Sequence, residues 1–367
     1  MRPFAPAFLA PALLALGLAC AIARPAFPAS PQDKADVVRA AIENHIRPAY
    51  AAFHASTGAL AAAVTELCAK PGGPSLAQAR DAFAGAVKAW SFIEFVQFGP
   101  VREDNRLEKI LFYPDRRGIG LRQIQALLAK PDPAELAGNG MAGKSAALQG
   151  LPALEFLLHG TGAEALAEPG EGGWRCQVGR AIAANLDANA GALVTGWGID
   201  GEIVRLLTHP GGANPLFANK DEALAAILKV LPNGYELIAE TRLAPFLGED
   251  AGQAKAKAAI WWRSGLTADA LRQNVLGLQA LAEASGALDQ LAGVSAYAAT
   301  NLPFETGAAL GYLDRLEQPA PQAAETEQGH TLLSLVQTGA RNLREVATTG
   351  ILGGFGLAAG FSSLDGD

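Results

Sequence analysis

Apolar residues recur at three- and four-residue spacing along most of the chain, the period of an α-helix that buries one face. Between Asp33 and Thr57 they are Val37, Ala41, Ile42, Ile46, Ala49, Tyr50 and Phe53, with His45 on the same stripe. This predicts a first long helix, bent at Pro48 because proline lacks the N–H that the helix ladder needs. Ala59 to Ala69 continues or restarts it, and Pro71-Gly72-Gly73-Pro74 breaks it. Ser75 is expected to cap a helix running to about Phe98. Residues 99 to 120 read as irregular, with turns at Gly99-Pro100 and Tyr113-Pro114-Asp115. A short helix follows from Arg122 to Ala129, then a short segment and loop from Pro131 to Gly143, a helix around Glu155, a glycine-rich excursion at 160–173, and a helix from Trp174 to Trp197.

The second half has the same grammar. His209 to Pro215 is a loop, Asp221 opens a helix that Pro232 and Gly234 are expected to break, and Tyr235 to Glu240 leads to Pro245. Ala251 to Ser264 is basic and carries Trp261-Trp262. Thr267 is expected to cap a helix to about Ser285, Asn301 to Leu316 forms another, Pro319 to Gly329 is a polar loop, and His330 to Thr348 is the last long helix. No segment reads clearly as a strand. Antiparallel helices with short connections bury their stripes against one another, so the fold class is all-α, two helical bundles. The approximate halves are 30–200 and 201–367.

Composition narrows the choice. Aromatic residues are only 7% of the chain and alanine is abundant, which suits helices, and the net charge of -7 without a basic block argues against a nucleic-acid partner. Met1 to Ala23 has one basic residue, Arg2, then an apolar run, and closes on Ala21-Ile22-Ala23. It reads as a signal peptide at 1–23, with periplasmic export as the expected location. Cys20 raises lipid anchoring as an alternative, weakened because no leucine stands three residues before it. With the signal removed, Cys68 and Cys176 are the two remaining cysteines, and an even pair in an exported protein predicts a disulfide.

The stretch Gln149 to Gly160 gathers the strongest candidate chemistry. Glycine and proline punctuate its start, so a helix should begin near Leu151, with Pro152 tolerated in the first turn. Glu155 then sits among Leu151, Leu154, Phe156, Leu157 and Leu158. Burying a carboxylate there without a partner is costly, so a metal or a cation, from Arg102, Arg106 or Arg47, should face it. Glu94 is a second carboxylate in apolar sequence. His45 lies on an apolar helical face, and His159 follows Glu155 by four residues on the same side. Glu94, Glu155 and His45 meeting across a bundle would make an oxygen-and-nitrogen set suited to iron or zinc. The plain alternatives are a hydrogen-bonded core histidine for His45, a helix C-terminal cap for His159, and a structural carboxylate–arginine pair for Glu155.

Gly150 to Glu155 resembles the G-x-H-x-x-E signature of the imelysin family (M75 peptidase-like proteins), with Pro152 where the histidine belongs. His45-Ile46-Arg47-Pro48-Ala49-Tyr50, Phe98 to Val101, Phe112 to Asp115, Trp262 to Leu266 and the terminal Gly360 to Asp367 agree with the family in order. The resemblance implies an imelysin-like domain over 24–367 built as tandem four-helix-bundle-like halves. It also implies a site near Glu155 where the first-helix His45 faces the motif, with Gly150 and Pro152 lining the cleft; Arg102, in the loop after Gly99-Pro100, is a further cleft-lining candidate whose plain alternative is a surface position. The family includes iron-regulated bacterial proteins and a branch that acts in ferrous-iron import. The first expectation is therefore a periplasmic iron- or metal-uptake-linked protein, binding a metal ion or small ligand and meeting other periplasmic or membrane iron-uptake proteins. Pro152 removes one ligand, so the site also fits a protein that binds no metal, a non-catalytic ligand- or protein-binding module. A metallopeptidase ranks third, because no H-E-x-x-H pattern or G-x-S-x-G elbow is present.

Overall fold

The computed structural model describes residues 33–138, 140–170 and 172–358. The signal peptide, Cys20 and the terminal Gly360 to Asp367 block lie outside them. Helices dominate, and no strand occurs among the described residues. The first long helix is α1 (Lys34–Ala41), a π-helical stretch at Ile42–Ile46, and α2 (Arg47–Ala69) in one run. The wide π turn stands just before Pro48, and a second at Leu237–Leu243 stands just before Pro245. A proline removes one ladder bond and crowds the preceding turn, and a π turn is a way of absorbing both without ending the helix.

The remaining first-half helices are α3 (Gly73–Ser91), the short α4 (Arg106–Ile110) and α5 (Ile119–Ala129), α6 (Gly150–His159) and α7 (Gly173–Gly196). α3 starts on Gly72 and Pro74, without a Ser75 cap, and ends seven residues earlier than the apolar run suggested, because Phe92 to Phe95 turns back. Later come α8 (Glu202–Thr208), α9 (Lys220–Leu228), α10 (Val230–Glu236), α11 (Ala244–Leu247), α12 (Thr267–Ala284), α13 (Tyr297–Asp314), α14 (Ala320–Ala323) and α15 (Glu327–Glu345). Pro232 and Gly234 sit within α10 and do not break it. Basic 251–264 forms 3-10 and other turns.

Two sets of helices pack closely: α2 with α3 and α7, and α6 with α3 and α7; then α15 with α10 and α13, and α12 with α10 and α13. The two sets are tied together, since α12 lies along α3 and α1 packs on α9. Residues from Val37 to Leu352 contribute to one contiguous apolar core. Cys68, at the end of α2, is disulfide-bonded to Cys176 in the first turn of α7, with Cα atoms 5.6 Å apart. No described helix is long and apolar enough to cross a membrane.

Candidate functional site

A cavity of about 1390 Å³ opens where the two helix sets meet, and both Glu94 and Glu155 line it. Its walls come from distant stretches: Phe95, Phe98, Leu111, Phe112 and Tyr113 from the first half, Ile203 and Phe217 from the α8–α9 region, and Ile260, Trp261 and Trp262 from the turn segment before α12. Tyr113 joins two of these walls by donating its hydroxyl to the Ala258 carbonyl at 3.1 Å.

Glu155 reaches the cavity because of how α6 starts. Gly150 has φ +75°, and a Cβ there would lie 2.3 Å from the carbonyl oxygens of Lys109 and Ile110. Only glycine lets α6 begin this close to the end of α4. Eight of the ten α6 residues are buried, Glu155 with them. Its partner comes from the turn before α12, where Trp261 holds a left-handed backbone, φ 61°. That conformation is uncommon for a bulky residue. The turn presents Ser264, whose backbone N–H and hydroxyl both donate to Glu155 Oε1, at 3.0 and 2.8 Å. Arg263 approaches Oε2 at 4.0 Å. Burial pushes the Glu155 carboxyl above its ordinary pKa, while the Ser264 hydrogen bonds and Arg263 pull it back down.

The expected arginines are elsewhere. Arg102 is exposed beside Glu108 and is absent from the cavity wall, Arg106 donates to the Pro100 carbonyl, and Arg47 donates to the Trp197 carbonyl. Cleft-lining therefore passes from Arg102 to Arg242, which the sequence does not single out, and to Arg263 of the family-like block 262–266. Gly150 shapes the start of α6 from behind, whereas Pro152 does line the cavity.

Glu94 is held by a buried pair. Arg242 Nη2 donates to Oε2 at 2.6 Å and Arg242 Nε to Oε1 at 3.3 Å, and the two side chains are 4% and 3% exposed. Asn274 Nδ2 adds a 2.7 Å bond to Oε1 and also donates to the Ser91 carbonyl. Gly277, one turn further along α12, allows this approach, since a Cβ there would lie 2.1 Å from the Phe92 carbonyl oxygen. The Arg242 guanidinium stacks on the Tyr113 ring at 5.1 Å.

The histidines stand apart from this arrangement. His45 is buried in the π turn against Phe92 and Phe95, with ring centroids at 5.3 and 6.3 Å, and its Nε2 has no hydrogen-bond partner. His159 ends α6 and packs on Phe83 at 5.5 Å. Burial lowers both to a pKa of about 4. Neither lines the cavity, and among the described residues no group of three or more His, Cys, Asp or Glu side chains is arranged to hold a metal ion. On the α6 face beside Glu155, one turn earlier, stands Pro152, which has no lone pair to offer.

The family model described as Imelysin (peptidase M75) matches residues 46–347. Among solved structures, an imelysin-like protein from Psychrobacter arcticum 273-4 superposes with a TM-score of 0.71 at 19% identity, covering 90% of this chain and 98% of its own. A putative iron-regulated protein A precursor from Parabacteroides distasonis ATCC 8503 gives 0.64 at 15% identity, covering 88% and 97%. These likenesses show a shared all-α fold. No curated protein matches the chain.

Proposed function

The chain belongs to the imelysin family, and on that premise we propose that it is a non-catalytic binding protein that holds an organic ligand in the cavity between its helix sets. The observation that carries this reading is the commitment of the two carboxylates. Glu94 is saturated by Arg242 and Asn274, and Glu155 takes both Ser264 hydrogen bonds on Oε1 with the Arg263 cation 4.0 Å from Oε2, inside a cavity with mostly apolar walls. A metal ion would have to displace Arg242 from Glu94, at Glu155 it would meet the Arg263 cation 4.0 Å from Oε2, and Pro152 cannot replace the motif histidine as a ligand. A roomy apolar pocket with a few convergent polar groups is the general form of a small-molecule site. The name borne by the Parabacteroides neighbour supports placing that binding role in iron handling. Iron would then arrive complexed to an organic chelator, and not as a bare ion on Glu155. Export to the periplasm by residues 1–23 belongs to the same proposal.

The test uses N-phenyl-1-naphthylamine, a neutral apolar fluorophore, with calorimetric titration of ferrous, ferric and zinc ions on the same samples. The reading predicts saturable binding of one fluorophore per chain, weakened when Ala226→Trp or Ala258→Trp narrows the cavity, both residues being partly buried on its wall. Micromolar binding of one bare metal ion per chain, abolished in Glu155→Ala but kept in Arg263→Gln, would favour direct metal capture instead.

A further inference from the structure

Arg263 lines the cavity with its side chain 21% exposed. Its guanidinium carbon lies 4.3 Å from the Trp262 ring centroid and 5.6 Å from that of Phe156. Stacking occupies the faces of a guanidinium and leaves its in-plane N–H groups available. The nearest carboxylate oxygen, Glu155 Oε2, is at 4.0 Å, beyond hydrogen-bond distance, and Glu155 already takes two bonds from Ser264. Arg263 is thus fixed in orientation and weakly neutralised. Lys257 lies on the same wall, its ammonium 5.8 Å from the Trp262 ring.

The other charges facing the cavity do not cancel these two. Asp115 is bound to the backbone N–H groups of Ile119 and Gly120, and Glu240 is paired with Arg341 at 2.9 Å. Glu94 is matched by Arg242. Arg116 and Lys229 add further positive charge to the lining.

We propose that the cavity takes a ligand with an anionic head, a carboxylate or phosphate, seated on Arg263 and Lys257, and a flat apolar body laid against Trp262, Phe156 and Phe112. This rests on the binding reading above and names the ligand class for the same cavity. A planar fork presenting two parallel N–H groups matches a carboxylate or phosphate in bidentate fashion, and the low-dielectric apolar wall strengthens the pairing.

The experiment compares two naphthalene probes of the same shape: neutral N-phenyl-1-naphthylamine and 8-anilinonaphthalene-1-sulfonate, which adds one anionic group. The sulfonate is expected to bind about tenfold more tightly, with an affinity that falls as salt rises. Arg263→Gln is expected to weaken the sulfonate about tenfold and the neutral probe much less, and exposed Lys257→Gln to weaken the sulfonate several-fold. Lys257→Gln carries the test if Arg263→Gln fails to fold. Equal affinities for the two probes, or unchanged sulfonate binding in either folded variant, would overturn the anion assignment while leaving the binding reading intact. Failure of both probes to bind the wild-type chain would overturn both.

Discussion

Ser264 gives both of its hydrogen-bond donors to one carboxylate oxygen of Glu155, the backbone N–H at 3.0 Å and the hydroxyl at 2.8 Å, across 109 residues of sequence. The family motif's glutamate is therefore bound from the other half of the chain, by a segment that belongs to the cavity wall. This contact closes the cavity on one side and commits Glu155 to a protein partner.

Removing the carboxylate tests that commitment. Glu155→Ala leaves the Ser264 donors unmatched and Arg263 without its counter-charge, a cost of about 2–4 kcal/mol in urea unfolding. Glu155→Gln keeps a carbonyl acceptor for Ser264 and should cost about 1 kcal/mol. Equal losses for the two would show that the Ser264 bonds contribute little.

The Glu94–Arg242 pair should behave as a unit. Arg242→Met strands a buried carboxylate and is expected to cost about 3–5 kcal/mol, whereas Glu94→Leu combined with Arg242→Met should recover much of that loss. The check is a double-mutant cycle read by denaturant unfolding. Additive losses would mean that the two side chains do not act together.

Acid should destabilise the fold through buried histidine. Burial lowers His45 from an ordinary 6.5 to about 4. A depressed folded pKa means that the unfolded chain takes up the proton first, so the stabilisation is present above pH 6.5 and is lost as pH falls towards 4. The loss is on the order of 2–3 kcal/mol for His45, and His159 acts in the same direction. Glu155 works oppositely: burial raises its pKa above the ordinary 4.5, so its contribution is present while the carboxyl is protonated and is lost as pH rises through the folded pKa. Unfolding free energies at pH 7 and pH 4.5 should therefore differ less in His45→Leu than in wild type, by about 2 kcal/mol.

Reduction of the disulfide offers an independent check. Cys68 and Cys176 are 108 residues apart, and closing a loop of that size is worth about 4–5 kcal/mol in the chain-entropy account. Cys68→Ala and wild type under reductant should lose similar stability, and non-additivity when the two are combined is the measured sign that both act on the same bond.

The helices were legible because their apolar period repeats over many residues, and α6 with Glu155 was read within one residue of its start. Proline misled at Pro232, which sits inside α10, whereas at Pro48 the helix runs on through a π turn. Glu155 and Glu94 were recognisable as buried carboxylates from their apolar neighbours alone. Their partners were not, because Arg242, Asn274, Arg263 and Ser264 lie more than 100 residues away and pairing at that distance leaves no local periodicity. The Trp262-Arg263-Ser264 block did stand out by its resemblance to the family, and the geometry supplies its physical role. Arg102 was a poor choice for the reason that its loop is solvent-facing, with Asp104 and Asn105 in left-handed backbone beside it.

The most direct test of the account is titration of N-phenyl-1-naphthylamine into the wild-type chain and into Ala226→Trp. The account predicts one saturable site per wild-type chain and clearly weaker binding in the narrowed variant, with both proteins equally folded by circular dichroism. Equal binding in both, or none in either, would contradict it.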